Sequence, residues 1–562
     1  MSAGEPRLDG VVGWPAELVE RYRARGYWEG VTLGELFDRW AAAHGPRTAV
    51  VDGELRLSYA ELAERSRRLA AHLRALGVGR DDRVVVQLPN VAAFCDLTLA
   101  LLRIGALPVM ALPSHRAHEV GYLVDHAEAT ALAVPDRQGS FDHLAMAETL
   151  RREHPTLRHL LVAGDPRGIE DAWSLGELTE REPVAGAAAP EREEGPAPDD
   201  VALFLLSGGT TGLPKLIPRT HDDYAYNARA SAEVCRLTAD DGYLAALPVA
   251  HNFPLACPGM LGTWSAGGRV VLTRDASPEA AFALIERERV TVTALVPTLA
   301  IRWTEAPERH DRDLSSLRVV QVGGARLAPE AARRIEPELG ARLQQVFGMA
   351  EGLLNYTRLD DPPQVIIETQ GRPLCPDDEL LVVDRNGRPV PDGEPGELLT
   401  RGPYTLRGYY RAEAHNARAF TPEGFYRTGD IVVRDAAGNL VVQGRAKDLI
   451  NRGGEKISAE EVENLVIGHP AVFDVAAVAM PDRELGERTC VYVVLREGAS
   501  LTLEELCEHL AAQRIAKYKL PERLEIVPEL PITKIGKVDK KLLREDIRSR
   551  LAAEGREVAW AG

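Results

Sequence analysis

A loop rich in glycine and hydroxyl groups follows the apolar run 201–206, and it reads Ser207-Gly208-Gly209-Thr210-Thr211-Gly212-Leu213-Pro214-Lys215. The apolar run predicts a buried strand. The glycines after it leave backbone N–H groups open to an anion, and the hydroxyl groups and the Lys215 ammonium add donors. The spacing differs from the common P-loop, which places glycine directly before lysine and Ser or Thr after it. The loop therefore predicts a phosphate site but disfavours γ-phosphate transfer of the kinase type.

A second strand-to-glycine transition lies about 110 residues further on. Residues 317–322 predict a strand, Gly323-Gly324-Ala325 follow it, and a helix is expected from Pro329. Such a transition presents backbone amides at the carboxyl edge of a sheet, where open α/β sheets bind ligands. We expect these three residues to form a second wall of the same site.

Length, composition and charge exclude several classes of protein. With 562 residues the chain is long enough for several domains, and 84 acidic against 67 basic residues give a net charge of −17. Without a basic run, nucleic acid is not expected as a partner. No apolar run approaches the roughly 20 residues that span a bilayer, and the first residues do not resemble a secretion signal. The six cysteines lack metal-ligand spacing. We therefore expect a cytoplasmic protein with reduced thiols and no membrane partner.

Helical and strand patterns alternate along the first half of the chain, which predicts an α/β fold with sheets covered by helices on both faces. A segment rich in Ala, Pro, Glu and Gly at 182–200 predicts a linker. From Glu379 short β elements with turn signals predict a small β subdomain, and after Asp448 a compact α+β unit begins. No internal repeat is found.

Four motifs identify a family when they are taken together. In this order and spacing they resemble the adenylate-forming superfamily of acyl-CoA synthetases, luciferases and peptide-synthetase adenylation domains. The motifs are Ser207 to Lys215, Phe347-Gly348-Met349-Ala350-Glu351, Tyr426-Arg427-Thr428-Gly429-Asp430 and Pro531-Ile532-Thr533-Lys534-Ile535-Gly536-Lys537. The resemblance implies a large N-terminal adenylation domain, here 1–446, and a small mobile C-terminal domain, 447–562. It also implies ATP and Mg²⁺, and two half-reactions: acyl-AMP formation with release of pyrophosphate, then transfer of the acyl group to a thiol.

The resemblance assigns roles to the motif residues. Lys537 is expected to bridge the carboxylate and the α-phosphate, because attack of one anion on another needs a cation to offset their repulsion. Glu351 is expected to bind Mg²⁺, and Asp430 the ribose hydroxyls. The remaining residues expected to bind ATP or AMP are Ser207, Gly208, Thr210, Thr211, Lys215, Gly324, Ala325, Phe347, Gly348, Met349 and Arg445.

The resemblance also implies that the C-terminal domain rotates between the two half-reactions. Lys447 falls at the family's hinge position. Rotation would withdraw Lys537 and bring in the loop with Lys456, in which Gly453 and Gly454 leave room for a narrow thiol channel. Lys456 is accordingly a candidate catalytic residue for thioester formation.

The acid pocket is indicated by the stretch His251-Asn252-Phe253. Peptide-synthetase domains for α-amino acids carry an Asp just after the position of His251, where it pairs with the substrate ammonium. Asn252 is neutral, so it cannot do this, but it can hydrogen-bond a phenolic hydroxyl ortho to a carboxylate. The stretch resembles the stand-alone aryl acid adenylating enzymes of siderophore biosynthesis. His251 is also a candidate catalytic residue, and Phe253 and Gly323 are expected to line the pocket.

Two positions indicate which ring substituents are accepted. Cys257 and Leu354 stand where dihydroxybenzoate enzymes of this subgroup tend to carry Ser and Val. The more apolar and bulkier pair leaves a hydroxyl at ring position 3 without a partner. Salicylate or a substituted salicylate is therefore expected, with a preference of about 1–3 kcal/mol, or roughly 10- to 200-fold.

Several alternatives stay open from the sequence. No phosphopantetheine site is found in the chain, so the thiol is expected to come in trans from an aryl carrier protein. A 2,3-dihydroxybenzoate-AMP ligase and an aryl-CoA ligase are the alternatives among enzymes. A regulatory nucleotide-binding protein without turnover is disfavoured because Lys537, Glu351 and Asp430 are all present.

Overall fold

The fold is described from a computed structural model of the chain. The described residues are 8–182, 195–207, 214–384, 386–445, 448–452, 455–482, 485–513, 515, 517–533 and 538–555. Within these ranges, the side chains of residues 445, 449, 451, 455 and 456 are not described. Several predicted features lie outside these ranges. They are most of the linker at 182–200, the loop residues Gly208 to Leu213, the hinge residue Lys447 and the catalytic residue Lys537.

A nine-stranded sheet forms one half of the N-terminal region. Its six central strands are parallel, and antiparallel strands cover its two edges. In spatial order the strands are Arg372–Pro373, Gly352–Tyr356, Arg342–Met349, Val319–Gly323, Val292–Leu295, Gly242–Ala245, Arg269–Leu272, Thr48–Asp52 and Leu55–Ser58.

A seven-stranded sheet forms the other half, and only its last strand is antiparallel to its neighbour. In spatial order its strands are Ala172–Ser174, His159–Ala163, Ala131–Pro135, Arg83–Val86, Leu107–Met110, Val201–Leu206 and Leu216–Thr220. Apolar runs such as 201–205 and 131–135 are fully buried because helices cover both faces.

The helices of the N-terminal region pack on these sheets. Local signals set several ends: Ser58 and Glu61 form a capping box at the start of one helix, and Gly105 ends another in the left-handed conformation. The helices are Ala16–Ala24, Leu33–His44, Tyr59–Ala75, Ala92–Ile104, Ala117–Ala127, His143–Glu153, Leu175–Glu180, His221–Val234, Asn252–Ala256, Gly259–Ser265, Pro278–Glu288, Pro297–Glu305, Pro329–Leu339, Pro363–Glu368 and Glu413–Ala419, with a 3₁₀ turn at Pro307–His310.

Two smaller sheets follow. The β subdomain is an antiparallel sheet of the strands Glu379–Val383, Pro395–Arg401, Tyr426–Arg434 and Leu440–Arg445. The C-terminal sheet contains Glu455–Ser458, Leu449–Arg452, Gly486–Leu495, Val472–Asp482 and Arg523–Ile526. Its helices are Ala459–Val466, Leu503–Ala512 and Lys540–Ala553, with a 3₁₀ turn at Lys517–Lys519.

The C-terminal sheet begins only a few residues after the β subdomain ends. The strand Leu440–Arg445 belongs to the β subdomain, and Leu449–Arg452 belongs to the C-terminal sheet. The Ser458 hydroxyl donates to the Gln443 carbonyl across this junction, and Arg496 forms an ion pair with Glu305 at 3.1 Å. The exact domain boundary at 447 stays a prediction.

Most predicted elements are confirmed, including the α/β class, the β subdomain and the α+β C-terminal unit. Several mixed sheets were predicted for the N-terminal region, but not which strands belong to the nine-stranded and which to the seven-stranded sheet, because periodicity does not say which strands pair. All six cysteines are free thiols, and five are buried. Among the described residues, no helix combines the length and the apolar character needed to cross a bilayer.

A glycine at the join between the nine-stranded sheet and the β subdomain should be essential for folding. Gly371 has φ of +70°, and a Cβ there would lie 2.0 Å from the backbone of Tyr356. Gly340 has nearly the same φ, +67°, with open space around it. Gly340→Ala should cost about 1–2 kcal/mol for the left-handed conformation alone. Gly371→Ala should cost more than about 4 kcal/mol, because backbone has to move as well.

Thermal unfolding of both variants, followed by circular dichroism, measures this difference. Equal loss of melting temperature in Gly371→Ala and Gly340→Ala would show that the close approach to Tyr356 does not matter.

Candidate active site

Ser207 and Lys215 join the two ends of the predicted phosphate loop. The Ser207 N–H donates to the Lys215 carbonyl at 2.9 Å, and the Lys215 N–H donates to the Ser207 hydroxyl at 3.0 Å. These bonds extend the antiparallel pairing in which Leu206 stands opposite Leu216. The loop is therefore a hairpin connection with a closed base. Its predicted ligands Gly208, Thr210 and Thr211 lie outside the described residues.

Glu351 lies at the turn between the strands Arg342–Met349 and Gly352–Tyr356, and its side chain is almost fully buried. The Tyr409 hydroxyl donates to Glu351 Oε1 at 2.8 Å and is also 2.8 Å from the Tyr426 hydroxyl. Burial, and then the Glu351 charge, raises the pKa of Tyr409 well above its usual value, so this hydroxyl stays a donor. Among the described residues, the contacts of the carboxylate leave Oε2 available.

Tyr409 also contacts the base of the phosphate loop. The Lys215 ammonium lies 5.7 Å from the centre of the Tyr409 ring, within the range of a cation–π interaction. Glu351 and Lys215 were predicted for the same site from different motifs, and they are 136 positions apart in the sequence. Both side chains contact Tyr409. Tyr409 was not predicted, because its spacing from either residue follows no motif.

The second predicted wall of the site consists of Gly323, Gly324 and Ala325, and its two glycines present backbone instead of side chains. Gly323 ends the strand Val319–Gly323, and a Cβ there would lie 2.7 Å from the Val346 carbonyl oxygen and 3.0 Å from the Phe253 ring. Gly324 has φ of +84° and is exposed together with Ala325. The absence of a side chain at Gly323 thus lets the Phe253 ring lie against the strand, and Gly324 turns the chain outward.

The strand Arg342–Met349 carries Phe347, Gly348 and Met349, which are predicted to bind ATP or AMP. A Cβ on Gly348 would lie 2.3 Å from Leu354 Cδ2, so the Leu354 side chain covers this glycine. Phe347 and Met349 are partly buried on either side of it, and Leu354 is buried. Leu354, Phe253 and Cys257 belong to one hydrophobic cluster. The structure therefore brings the residues predicted for the acid ring into contact with the same core.

Asp430 and Arg445 lie on neighbouring antiparallel strands and stand opposite each other in register. Asp430 is buried, and its backbone N–H donates to the Thr428 hydroxyl at 3.0 Å. The side chain of Arg445 is not described. This pair lies beside the C-terminal unit, because Gly444 lies close to the Glu460 side chain. Burial raises the pKa of Glu460 to about 7.

The predicted acid-binding stretch forms the start of a short helix, Asn252–Ala256. His251 is its N-cap, and His251 Nδ1 accepts from the Phe253 N–H at 3.3 Å. Asn252 is buried, and its Oδ1 accepts from the Tyr224 hydroxyl at 2.9 Å. His251 thus stabilises the helix whose first residue is Asn252, and any catalytic role for it stays a prediction.

Cys257 follows the same helix and lies against the Asn252 amide. Asn252 Nδ2 donates to Cys257 Sγ at 3.3 Å, and the thiol lies 3.4 Å from the Asn252 carbonyl oxygen. Burial raises the pKa of Cys257 to about 12, so the thiol is neutral at physiological pH. A neutral thiol is a weak hydrogen-bonding group.

A buried polar network lies behind these residues and was not predicted. The Arg219 guanidinium is fully buried and bonds Asp223 Oδ1 at 2.7 Å and the Ala350 carbonyl at 3.1 Å. It also stacks over the Tyr224 ring at 4.8 Å. The i, i+4 spacing of Arg219 and Asp223 was visible in the sequence, but such spacing ordinarily indicates an exposed pair on a helix.

The predicted C-terminal residues are only partly described. Lys537, Lys447, Gly453 and Gly454 lie outside the described residues. Lys456 belongs to the strand Glu455–Ser458, but its side chain is not described. Their predicted roles therefore stay predictions. Among the described residues there is no group of three or more His, Cys, Asp and Glu side chains that could hold a metal ion. Among the described residues, Glu351 is therefore a single candidate ligand that would need further ligands, such as substrate phosphates, to hold a metal ion.

Comparison with known proteins agrees with the motifs. Residues 37–410 match the family described as AMP-binding enzyme, and residues 461–537 match the AMP-binding enzyme C-terminal domain. A solved structure, the apo form of MbtA from Mycobacterium smegmatis, is 50% identical with a TM-score of 0.73 and covers 95% of this chain and 98% of its own.

Three curated relatives match over nearly their whole length. A Streptomyces salicylyl-CoA synthase / salicylate adenylyltransferase is 58% identical (96% of this chain, 98% of the relative). The 2,3-dihydroxybenzoate-AMP ligase of Bacillus subtilis is 53% identical (97% and 99%). The salicyl-AMP ligase / salicyl-S-ArCP synthetase of Mycobacterium tuberculosis is 52% identical (95% and 94%). With both family domains matched and relatives this similar, the chain belongs to the AMP-binding enzyme family of adenylate-forming ligases.

Proposed function

We propose that this ligase activates salicylate, or a substituted salicylate, as the aryl adenylate with release of pyrophosphate. The aryl group then passes to the phosphopantetheine thiol of an aryl carrier protein in siderophore or nonribosomal peptide biosynthesis. The observation that carries the proposal is the buried neutral amide of Asn252 among the apolar side chains of the pocket. An α-amino acid would need a carboxylate there. The carboxylate of Asp223 is not available, since Arg219 and Thr220 already bond it.

The residues around the ring support salicylate over 2,3-dihydroxybenzoate. A hydroxyl at ring position 3 would meet the neutral Cys257 thiol, which is already in contact with Asn252, and the Leu354 side chain. Leaving a hydroxyl without a good partner is unfavourable. Two of the three relatives described above are named for salicylate and one for 2,3-dihydroxybenzoate, so the latter acid is the alternative.

The polar side of the site has the residue types that ATP and Mg²⁺ require. Glu351 offers a carboxylate oxygen that its described contacts leave available, and Mg²⁺ in such sites takes one or two carboxylates together with substrate phosphates. When bound, ATP would supply the adenylyl group, and Mg²⁺ would offset the phosphate charge. Lys215 and the N–H groups of the loop at 207–215 would hold the phosphates, and Asp430 the ribose.

The acid carboxylate and the α-phosphate are both anionic, so their approach needs a cation between them. We assign this role to Lys537. The Lys456 loop, with Gly453 and Gly454, would replace it for thioester formation after rotation about Lys447.

Two molecules could supply the acceptor thiol: an aryl carrier protein and coenzyme A. One relative is named as a salicyl-S-ArCP synthetase and another as a salicylyl-CoA synthase, so a carrier protein and coenzyme A are both represented among the relatives. We favour the carrier protein, and an aryl-CoA ligase is the alternative. Incubation with ATP, salicylate and either a phosphopantetheinylated aryl carrier protein or coenzyme A separates the two by the thioester formed.

The first prediction about the active site concerns the acid that is activated. In acid-dependent exchange of labelled pyrophosphate into ATP, salicylate should give the highest kcat/KM, because Asn252 offers a partner for its hydroxyl and the rest of the pocket is apolar. The comparison set is 2,3-dihydroxybenzoate, benzoate, and a few aliphatic and amino acids. Exchange only with an aliphatic or amino acid would overturn the pocket assignment. Exchange with none of them would favour a nucleotide-binding protein without turnover.

The second prediction concerns ring position 3. The double variant Cys257→Ser, Leu354→Val should shift kcat/KM toward 2,3-dihydroxybenzoate over salicylate by roughly 10- to 200-fold, because it adds a hydroxyl partner and space. Steady-state exchange kinetics with both acids measure the ratio. The matched control is Cys95→Ser, a buried cysteine in the helix Ala92–Ile104. A ratio unchanged from wild type would show that these two residues do not contact the ring.

The third prediction concerns Glu351. Tyr409→Phe removes the hydrogen bond to the carboxylate and keeps the ring beneath Lys215. A hydrogen bond to a charged group contributes about 1.5–3 kcal/mol, so the Mg²⁺ concentration for half-maximal exchange should rise roughly 10- to 100-fold while the KM for the acid is unchanged. Tyr410→Phe is the control, since the neighbouring Tyr410 hydroxyl is buried without a partner among the described residues. The role is refuted if both variants depend on Mg²⁺ as wild type does.

A further inference from the structure

We propose that Tyr224 is a positioning residue that fixes the orientation of the Asn252 amide. Asn252 then offers an N–H, and not a carbonyl oxygen, to the group ortho to the acid's carboxylate. The pocket would therefore select acids with a hydrogen-bond acceptor at that ring position. This inference rests on the proposed function and names the residue that sets its specificity.

The Tyr224 hydroxyl determines which end of the amide it bonds. Tyr224 is fully buried, and this burial raises its pKa well above the usual value, so the hydroxyl is always protonated. The one partner that the described residues provide for it is Asn252 Oδ1, at 2.9 Å. If the amide were reversed, the NH₂ group would face the hydroxyl and the phenolic proton would lose its acceptor. Such a loss is unfavourable, because a buried donor then has no partner in place of water.

The other end of the amide retains hydrogen-bonding capacity. Of the two hydrogens on Asn252 Nδ2, the described contacts use one, toward Cys257 Sγ at 3.3 Å. The second is available to a ligand. The side-chain oxygen is turned toward the Tyr224 hydroxyl, so the opposite end of the amide is the NH₂ group, which keeps one unused donor for the acid.

Tyr224 is itself held rigidly. The Arg219 guanidinium stacks on its ring at 4.8 Å. Arg219 is fixed in turn by Asp223 Oδ1 at 2.7 Å and by the Ala350 carbonyl at 3.1 Å. The strand Leu216–Thr220 carries Arg219, and the helix His221–Val234 carries Asp223 and Tyr224. A polar group on rigid elements keeps its orientation without help from the ligand.

The consequence for the acid follows from the chemistry of the ortho group. In salicylate the phenolic proton bonds the adjacent carboxylate, and the phenolic oxygen keeps lone pairs that accept from Asn252. In anthranilate the amino lone pair is delocalised into the ring, so the amino group offers mainly N–H donors. Two donors would then face each other. Benzoate has no ortho group and should be indifferent to the amide orientation.

The test compares three acids in wild type and in Tyr224→Phe. The kcat/KM for pyrophosphate exchange is measured with salicylate, anthranilate and benzoate. We expect the salicylate-to-anthranilate ratio and the salicylate-to-benzoate ratio each to fall about 10-fold in the variant. The matched control is Tyr243→Phe, a buried tyrosine whose hydroxyl has no partner among the described residues. It should keep both wild-type ratios.

A second variant tests the same orientation without depending on the stability of Tyr224→Phe. In Asn252→Asp one oxygen still accepts from Tyr224, and the other presents an acceptor to the acid. The preference should invert toward anthranilate. Calorimetric titration with each acid gives a binding readout besides turnover.

The outcomes separate this inference from the proposed function. If wild type does not prefer salicylate to benzoate, the proposed function fails. If wild type does prefer it, but Tyr224→Phe keeps both ratios or Asn252→Asp still prefers salicylate to anthranilate, the orientation by Tyr224 is refuted and the proposed function stands.

Discussion

The proposed acid side of the site depends on the interactions of the buried Arg219 guanidinium with Asp223 and the Ala350 carbonyl. A charge removed from water is costly unless it is paired and fully hydrogen-bonded. Asp223 and the Ala350 carbonyl provide these partners, and Tyr224 stacks against the guanidinium. Arg219 belongs to the edge strand of the seven-stranded sheet, and Ala350 lies in a turn of the nine-stranded sheet. The interaction thus joins the two sheets beside the pocket, and Ala350 is the residue before Glu351.

The site separates two kinds of chemistry. On the side proposed to bind the acid, Phe253 and Leu354 are apolar, the Cys257 thiol is neutral and the Asn252 amide accepts a hydrogen bond from Tyr224, which suits an aromatic ring with a single polar substituent. Toward the phosphates, Tyr409 connects the Glu351 carboxylate and the Lys215 ammonium. In both halves a buried tyrosine with a raised pKa serves as a permanent donor to a residue that is predicted to contact a substrate. The protein therefore orients its polar groups before any ligand binds, which lowers the cost of binding.

The β subdomain and the C-terminal unit meet beside Asp430 and Arg445, the residues proposed to bind the nucleotide. Asp430 and Arg445 stand opposite each other on adjacent strands, and the next strand along the chain already belongs to the C-terminal sheet. Glu460 of the C-terminal unit approaches Gly444 on the same strand as Arg445. The strands that carry Asp430 and Arg445 are thus adjacent to the junction of the two units. A movement of the C-terminal unit would therefore change the surroundings of these two residues.

The sequence by itself determined the α/β class, most helices and strands, the β subdomain and the family. These follow from local periodicity, caps and motifs whose residues are near one another along the chain. It also named Asn252, Cys257 and Leu354 as one pocket, although only through resemblance to a subgroup. Tertiary structure decided the division into two sheets and the roles of Arg219, Tyr224 and Tyr409. The partners of these residues are contributed by different elements; Arg219 and Ala350, for example, are 131 residues apart. Spacing along the chain carries no information about such contacts, and only packing brings the groups together.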